Sequence, residues 1–324
     1  METTILGTTG LEVSRIAFGT WQLGGDWGGF DELRAVDAIR HARELGITLF
    51  DTAQAYGFGA SEGLLGRVLV NELGRNRDEL VIATKGGLRM TDGGMVRDSS
   101  PAWLRRGVED SLRALGLDHV DIYQVHWPDP DVPFEESAGE LQALVDEGKI
   151  RHVGVSNFDV TEMAEFSRTR PVETLQPPYH LFRRDIEADV LPYAREHDIG
   201  VLVYGPLAHG LLAGALDAHT RFAPDDWRAH SPMFQGDVYS RNLATVRALD
   251  RFARERGHTV AQVAVAWTLA HPAVHVAIVG ARSPDHIAES VEALDVELDA
   301  DDRDEIERIM FGAAPVAGPS PDSV

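Results

Sequence analysis

The chain has 324 residues and a formal charge of −22, with 52 acidic side chains against 30 basic ones. That balance excludes a nucleic-acid-binding surface, which needs a basic stripe, and the absence of cysteine excludes disulfides and thiolate chemistry. The opening METTILGTTG lacks the basic and apolar regions of a signal peptide, and no apolar run reaches the roughly 18 residues of a membrane span, so a cytoplasmic location is expected.

Short β-rich runs alternate with helical stripes along the chain. The first run, 16–19, leads into TWQLGGDWGG, and Val36, Ile39, Ala42 and Leu45 then share a helix face that Gly46 stops. A second run, 47–51, ends in Asp51, with Tyr56 five residues on. A third, 80–84, is followed by Lys85 and then by a helix with Leu104, Val108, Leu112 and Leu115 on one face behind Ser100–Pro101. A fourth, 121–125, ends at His126, and Phe134, Ala138, Leu141 and Val145 make the next stripe, closed by Gly148. The run 152–155 leads to Ser156 and Asn157, and 174–176 ends in Gln176 before a stripe of Ile186, Val190 and Tyr193. The seventh run, 201–204, ends in Tyr204, after which 211–233 shows little periodicity and is expected as a long loop over a mouth. Val260, Val263, Ala264 and Trp267 mark a further helix. The eighth run, 276–279, precedes one with Ile287, Val291 and Leu294 behind Ser283–Pro284.

Eight strands alternating with helices favour a parallel (β/α)₈ TIM barrel, an α/β fold, over a doubly wound sheet. The rival fold predicts a Gly-x-Gly-x-x-Gly turn after the first strand, and FGTWQLGGDWGG lacks it. Residues 1–310 are expected to form one barrel domain with long loops at its C-terminal mouth. The tail 311–324, rich in Pro, Ala and Ser, is expected to be disordered.

In a barrel, chemistry gathers where the strands end. Three consecutive strands end in ionisable groups: Asp51, Lys85 and His126. Only two of the 30 basic side chains are lysine, and one of them, Lys85, closes the apolar run LVIATK, where a solvated lysine is not expected; the other, Lys149, follows a helix end and is expected at the solvated surface. A carboxylate at a buried strand end is costly without a partner, and neighbouring strands lie about 5 Å apart, which pairs Asp51 with Lys85. Tyr56 can then fold back over the lysine, whose charge favours the phenolate and makes the phenol a better proton donor. His126 beside it would orient a carbonyl oxygen that gains negative charge. No clustered His/Glu spacing suggests a metal site.

The motifs FDTAQAYG, ATKGG, QVHWPD and VGVSNF together resemble the aldo-keto reductases, over about residues 3–310. SRIAFGTWQLGG, GASEGLLGRVL and GLDHVDIYQVHWPD are similar to the bacterial and potassium-channel-β-like branches. The resemblance implies a nicotinamide-dependent oxidoreductase reducing aldehydes or ketones, or running in reverse. It implies Tyr56 as proton donor, Lys85 and Asp51 as its tuning pair, and His126 as carbonyl orienter. Ser156, Asn157 and Gln176 would hold the nicotinamide carboxamide and Tyr204 would stack on the ring. Gly205, Pro206, Leu207 and Gly210 would follow the pyrophosphate. Gly280, Ala281 and Arg282 would present a phosphate to the helix that begins at Pro284. Thr20 and Trp21 would line the same mouth, and Trp21, Trp27, Phe30, Phe58 and Trp127 are candidates for an apolar substrate wall.

Cofactor choice is where the chain departs from the family pattern. Members using NADP usually carry a basic residue after the eighth strand, whereas this chain has His286, with Glu289–Ser290 following. Histidine is mostly neutral at pH 7, so the expectation is NADPH with a weak preference, helped by Arg282, and NADH as the alternative. Two other readings stand beside the reductase: a cofactor-binding regulatory subunit with little turnover, and a lyase forming a Schiff base on Lys85. The substrate and the oligomeric state are not legible in the sequence.

Overall fold

Eight short strands close into one parallel barrel in the computed structural model, which describes residues 1–25 and 27–316. They are β1 (Ile16–Gly19), β2 (Leu49–Asp51), β3 (Val81–Gly86), β4 (Val120–Val125), β5 (Ile150–Ser156), β6 (Thr174–Gln176), β7 (Gly200–Tyr204) and β8 (Val276–Gly280). Each pairs with its neighbours in sequence, and β8 returns to β1 through Ala277–Ile16 and Gly280–Gly19. The eight expected strands are therefore the barrel strands, with shifted ends. β3 runs two residues past the expected stop, so Lys85 stands inside a strand rather than after one.

Alternation along each strand sorts the core into two bodies. Inward residues, among them Ala17, Leu49, Val81, Ala83, Ile122, Leu202, Val276 and Ile278, fill the lumen. Outward residues such as Phe18, Phe50, Ile82, Tyr123 and Val153 pack under the helices. A hairpin of Thr3–Ile5 and Glu12–Ser14, which the strand count did not include, plugs the far end with Leu6. Its turn crosses the start of β7 so closely that a Cβ on Gly7 would lie 2.2 Å from the Gly200 nitrogen, which explains glycine there, at φ +51°.

The expected stripes form helices Glu32–Glu44, Pro101–Leu115, Phe134–Asp146, Val190–Glu196, Val260–Leu269 and Pro284–Glu292. Helix Gly236–Glu255, 20 residues long, was not expected. It begins at a glycine without a side-chain cap, and its buried Tyr239, Leu243, Val246, Leu249 and Phe252 are diluted by polar neighbours. The expected loop 211–233 holds only short 3₁₀ turns and reaches back over the mouth, where Asp226 bridges to Trp27. Lys149 is not simply solvated: it joins Glu109 at 2.9 Å and Glu147 at 3.1 Å. Beyond the expected boundary at 310 the chain stays on the barrel, with Ala314 N donating to Asn242 Oδ1 (2.8 Å) and Val316 N to Phe182 O (2.9 Å). The remainder of the expected tail, 317–324, lies outside the described residues.

Glu62 is a buried carboxyl outside the lumen, under the helices. It is 1% exposed and accepts a 2.6 Å hydrogen bond from Thr84 Oγ1. Burial raises its pKa, against the opposing effects of its hydrogen bonds and of Lys85. The unfolded glutamate ionises at its ordinary pKa, so the folded state is favoured fully below that pH and loses stability as the pH rises through the raised one. Each tenfold difference in proton affinity is worth about 1.4 kcal/mol. Glu62→Gln is therefore expected to melt higher than the parent at pH 8 but not at pH 4, and equal melting temperatures at pH 8 would contradict this.

Candidate active site

Parallel strands deliver their last inward side chains to one end of the barrel, and β2, β3 and β4 deliver Asp51, Lys85 and His126. Lys85 Nζ donates to Asp51 Oδ1 at 2.7 Å and to the Thr52 carbonyl at 2.9 Å. The two charged side chains are 1% and 4% exposed, so this is the buried pair the sequence called for. The second carboxylate oxygen, Asp51 Oδ2, accepts from Gln176 Nε2 at 2.8 Å across the barrel. That partner was expected to serve a cofactor rather than Asp51.

Tyr56 rises from the turn after β2 and folds over the lysine. Its Oη lies 3.5 Å from Lys85 Nζ, and the ammonium is 5.1 Å from the ring centroid. At that separation the contact is one of charge with phenol oxygen rather than a tight hydrogen bond. The His126 ring stands edge-on to the Tyr56 ring, centroids 5.8 Å apart, and Trp21 runs nearly parallel to it at 6.2 Å. Three oxygens therefore surround the Lys85 ammonium, which lies behind Tyr56 and not on the wall of the cleft. The Lys85 side chain is only 1% exposed, and this tells against the Schiff-base reading.

A cleft open to solvent runs from Tyr56 across the ends of β5 to β8. Of the sequence-derived site residues, Thr20, Trp21, Asp51, Tyr56, His126, Ser156, Gln176, Tyr204, Gly205, Pro206, Leu207, Gly210, Gly280, Arg282, His286, Glu289 and Ser290 all line it. Three do not. Lys85 is covered as described. Trp127 is 8% exposed and packs beneath the Arg97 guanidinium, 5.2 Å from its ring, away from the cleft. Asn157 turns inward, with Nδ2 donating to the His126 carbonyl (3.0 Å) and to Ser156 Oγ (3.1 Å), and Oδ1 accepting from Tyr204 Oη (2.9 Å). Of the other aromatic candidates, Trp27 lines the cleft, Phe30 packs on the helical core and Phe58 is exposed.

The wall also contains residues that sequence reasoning missed: Gln22, His209, Arg228 and Ala261 among them. Gln22 Nε2 ties the Gly19 carbonyl to that of Ala281, at 2.9 and 3.0 Å, joining the ends of β1 and β8. Arg228 is clasped by Asp226 (Nη2 to Oδ2, 2.6 Å) and lies over the Trp27 ring at 4.9 Å. Arg282 donates to the Trp27 carbonyl at 2.6 Å. Burial and the facing Arg228 both hold Arg282 below the usual arginine range. The loop of Arg228 has no periodicity, so nothing in the sequence marks that residue.

The cleft suits a nicotinamide dinucleotide. Gly205 and Gly210 adopt φ of +68° and +97°, exposing backbone along the wall. The helix Pro284–Glu292 starts at the far end behind Ser283, its N-terminus facing Gly280 and Arg282. Two guanidinium groups, those of Arg228 and Arg282, lie on the cleft wall, the first paired with Asp226. Among the described residues no group of His, Asp and Glu could hold a metal ion, and no helix is long and apolar enough to cross a membrane.

The sequence profile of the Aldo/keto reductase family matches residues 15–310. The aldo-keto reductase YhdN of Bacillus subtilis is 43% identical over 312 residues, covering 96% of this chain and 94% of that protein. The NADH-specific methylglyoxal reductase of Escherichia coli is 33% identical over 313 residues, covering 91% of this chain and 94% of its own length. Among solved structures, the glycerol dehydrogenase AKR11B4 of Gluconobacter oxydans superposes with a TM-score of 0.87 at 39% identity, covering 98% of this chain and 97% of that one.

Proposed function

Since the chain belongs to the aldo/keto reductase family and is a nicotinamide-dependent oxidoreductase of carbonyl compounds and alcohols, we propose that Tyr56 is its proton donor. The observation that carries this is the Asp51–Lys85–Tyr56 contact at the mouth of the cleft. When bound, the reduced nicotinamide supplies hydride to the carbonyl carbon. Tyr56 gives its proton to the carbonyl oxygen as negative charge grows there, and Lys85 stabilises the phenolate left behind. Asp51, fixed by Gln176, holds Lys85 in place through the 2.7 Å ion pair. His126 orients the carbonyl oxygen from the edge of the Tyr56 ring.

On the cofactor side, Ser156 and Gln176 are proposed to meet the carboxamide and Tyr204 the nicotinamide face. Gly205, Pro206, Leu207 and Gly210 follow the pyrophosphate, with Thr20 and Trp21 closing the wall. NADPH is the proposed cofactor, because Arg282 lines the cleft and His286 stands exposed on the first turn of the helix below it. Glu289 on the same wall works against a 2′-phosphate, and the Escherichia coli relative is named as NADH-specific. The expected outcome of titrating both is therefore a dissociation constant for NADPH lower than for NADH by less than about tenfold, some 1.4 kcal/mol. A large preference for NADH would overturn the assignment.

The proposed substrate is a small oxygenated aldehyde or ketone, held against Trp21 and Trp27. The methylglyoxal reductase and glycerol dehydrogenase among the relatives support this size class. A cytoplasmic setting, expected from the sequence, suits an enzyme dependent on a soluble cofactor pool.

A further inference from the structure

Tyr56 is carried by the turn 52–61, whose two ends are tied together by buried hydroxyls. Thr52 leaves the end of β2, and Ser61 lies in the first turn of helix Ala60–Val68. Both are 0% exposed, as is Thr20 just after β1. Ser61 Oγ donates to Thr20 Oγ1 at 2.7 Å, and Thr20 Oγ1 donates to the Asp51 carbonyl at 3.1 Å. Thr52 Oγ1 lies 3.3 Å from Ser61 Oγ. A serine hydroxyl has one proton and the shorter contact uses it, so Thr52 donates to Ser61. Three hydroxyls thus form a relay from Thr52 through Ser61 and Thr20 to the Asp51 main chain. Serine at a helix start commonly serves as its cap, but this helix has no side-chain cap and the hydroxyl is spent on the turn.

The backbone of the turn is held at the same places. Ser61 N donates to the Tyr56 carbonyl at 3.2 Å, and Gly59 N to the Gln54 carbonyl at 3.1 Å. The Thr52 carbonyl accepts from Lys85 Nζ, so the neck of the turn also holds the lysine. From the other side Gly24 presses so closely that a Cβ on it would lie 2.8 Å from the Tyr56 carbonyl carbon. Tyr56 Oη and Lys85 Nζ are 3.5 Å apart, too far for a tight bond to fix their spacing. The spacing is set by where the neck and Gly24 hold the chain.

We propose that Ser61 is a positioning residue for proton transfer, its hydroxyl fixing the turn so that the Tyr56 hydroxyl stays over the Lys85 ammonium. This rests on the reading of Tyr56 as proton donor. Ser61 itself lies off the cleft, behind Thr20, and meets neither substrate nor cofactor. Alanine and valine would fill the same space without burying hydroxyls; what the hydroxyls add is direction.

The test is a double-mutant cycle of Ser61→Ala with Tyr56→Phe, read by kcat for reduction of a reactive aromatic aldehyde and by the NADPH dissociation constant. In the parent background Ser61→Ala is expected to lower kcat about three- to tenfold, the scale of one buried hydrogen bond, with NADPH affinity within about twofold of the parent. In the Tyr56→Phe background no phenol is left to align, so the same change should alter the residual kcat by less than about twofold. Thr52→Val removes the contact from its other side and should repeat both results, which keeps the test open should Ser61→Ala fail to fold. An equal factor in both backgrounds would make Ser61 a structural residue only and would overturn the proposal. Full kcat in both Ser61→Ala and Thr52→Val, or a loss that appears in NADPH affinity, would overturn it as well. Parent-like kcat in Tyr56→Phe alone would instead remove the donor reading, and this inference with it.

Discussion

Tyr56→Phe is expected to lower kcat for carbonyl reduction by roughly 10²- to 10⁴-fold, the usual contribution of a positioned general acid. Cofactor affinity should stay near that of the parent, because the lost hydroxyl lies 3.5 Å from Lys85 Nζ and, in the proposed mechanism, acts on the substrate oxygen rather than on the dinucleotide. Steady-state reduction of a reactive aromatic aldehyde, with NADPH titrated separately, checks both halves. Phenylalanine keeps the ring against Trp21 and His126, so packing is preserved and the loss is assignable to one proton. Unchanged turnover would remove Tyr56 from the mechanism.

Lys85→Met is expected to damage the protein as well as the reaction. The substitution keeps most of the side-chain length but leaves Asp51, 3% exposed, with only the Gln176 amide among its two side-chain partners. Breaking a buried pair from one side costs about 3–5 kcal/mol, because the surviving charge has lost its counter-ion without regaining water. A matching drop in the denaturation midpoint is the readout. The paired change Lys85→Met with Asp51→Asn removes both charges and should recover part of that loss while remaining inactive. A Lys85→Met protein as stable as the parent would mean that Asp51 finds its compensation elsewhere.

What could be read from the chain, and what could not, follows from the range of each interaction. Strand ends are local: an apolar run stopping at Asp51 or His126 declares its own boundary. The rule that parallel strands converge at one mouth then brings distant residues together. Pairing Asp51 with Lys85 needed only that consecutive strands be neighbours. The Gln176–Asp51 bond spans 125 residues and crosses the lumen, and no local pattern announces it. Asn157 shows the same limit, since motif and family resemblance place it at the site but not the direction in which its amide turns. Arg228 reaches the cleft from a segment without period, whose path is fixed by the Asp226 clasp and the bridge to Trp27. Trp127 lies off the cleft although its neighbour His126 lines it, because the chain turns after β4 and carries the tryptophan under Arg97.

The central claim is that the proton comes from Tyr56, and the pH dependence of kcat for aldehyde reduction in the wild-type protein and in Tyr56→Phe tests it most directly. The donor must be protonated, so the wild-type rate should fall as the pH rises through its ionisation, and the residual rate of Tyr56→Phe should lack that limb. The same limb persisting in the phenylalanine variant would contradict the account and move the proton to another group.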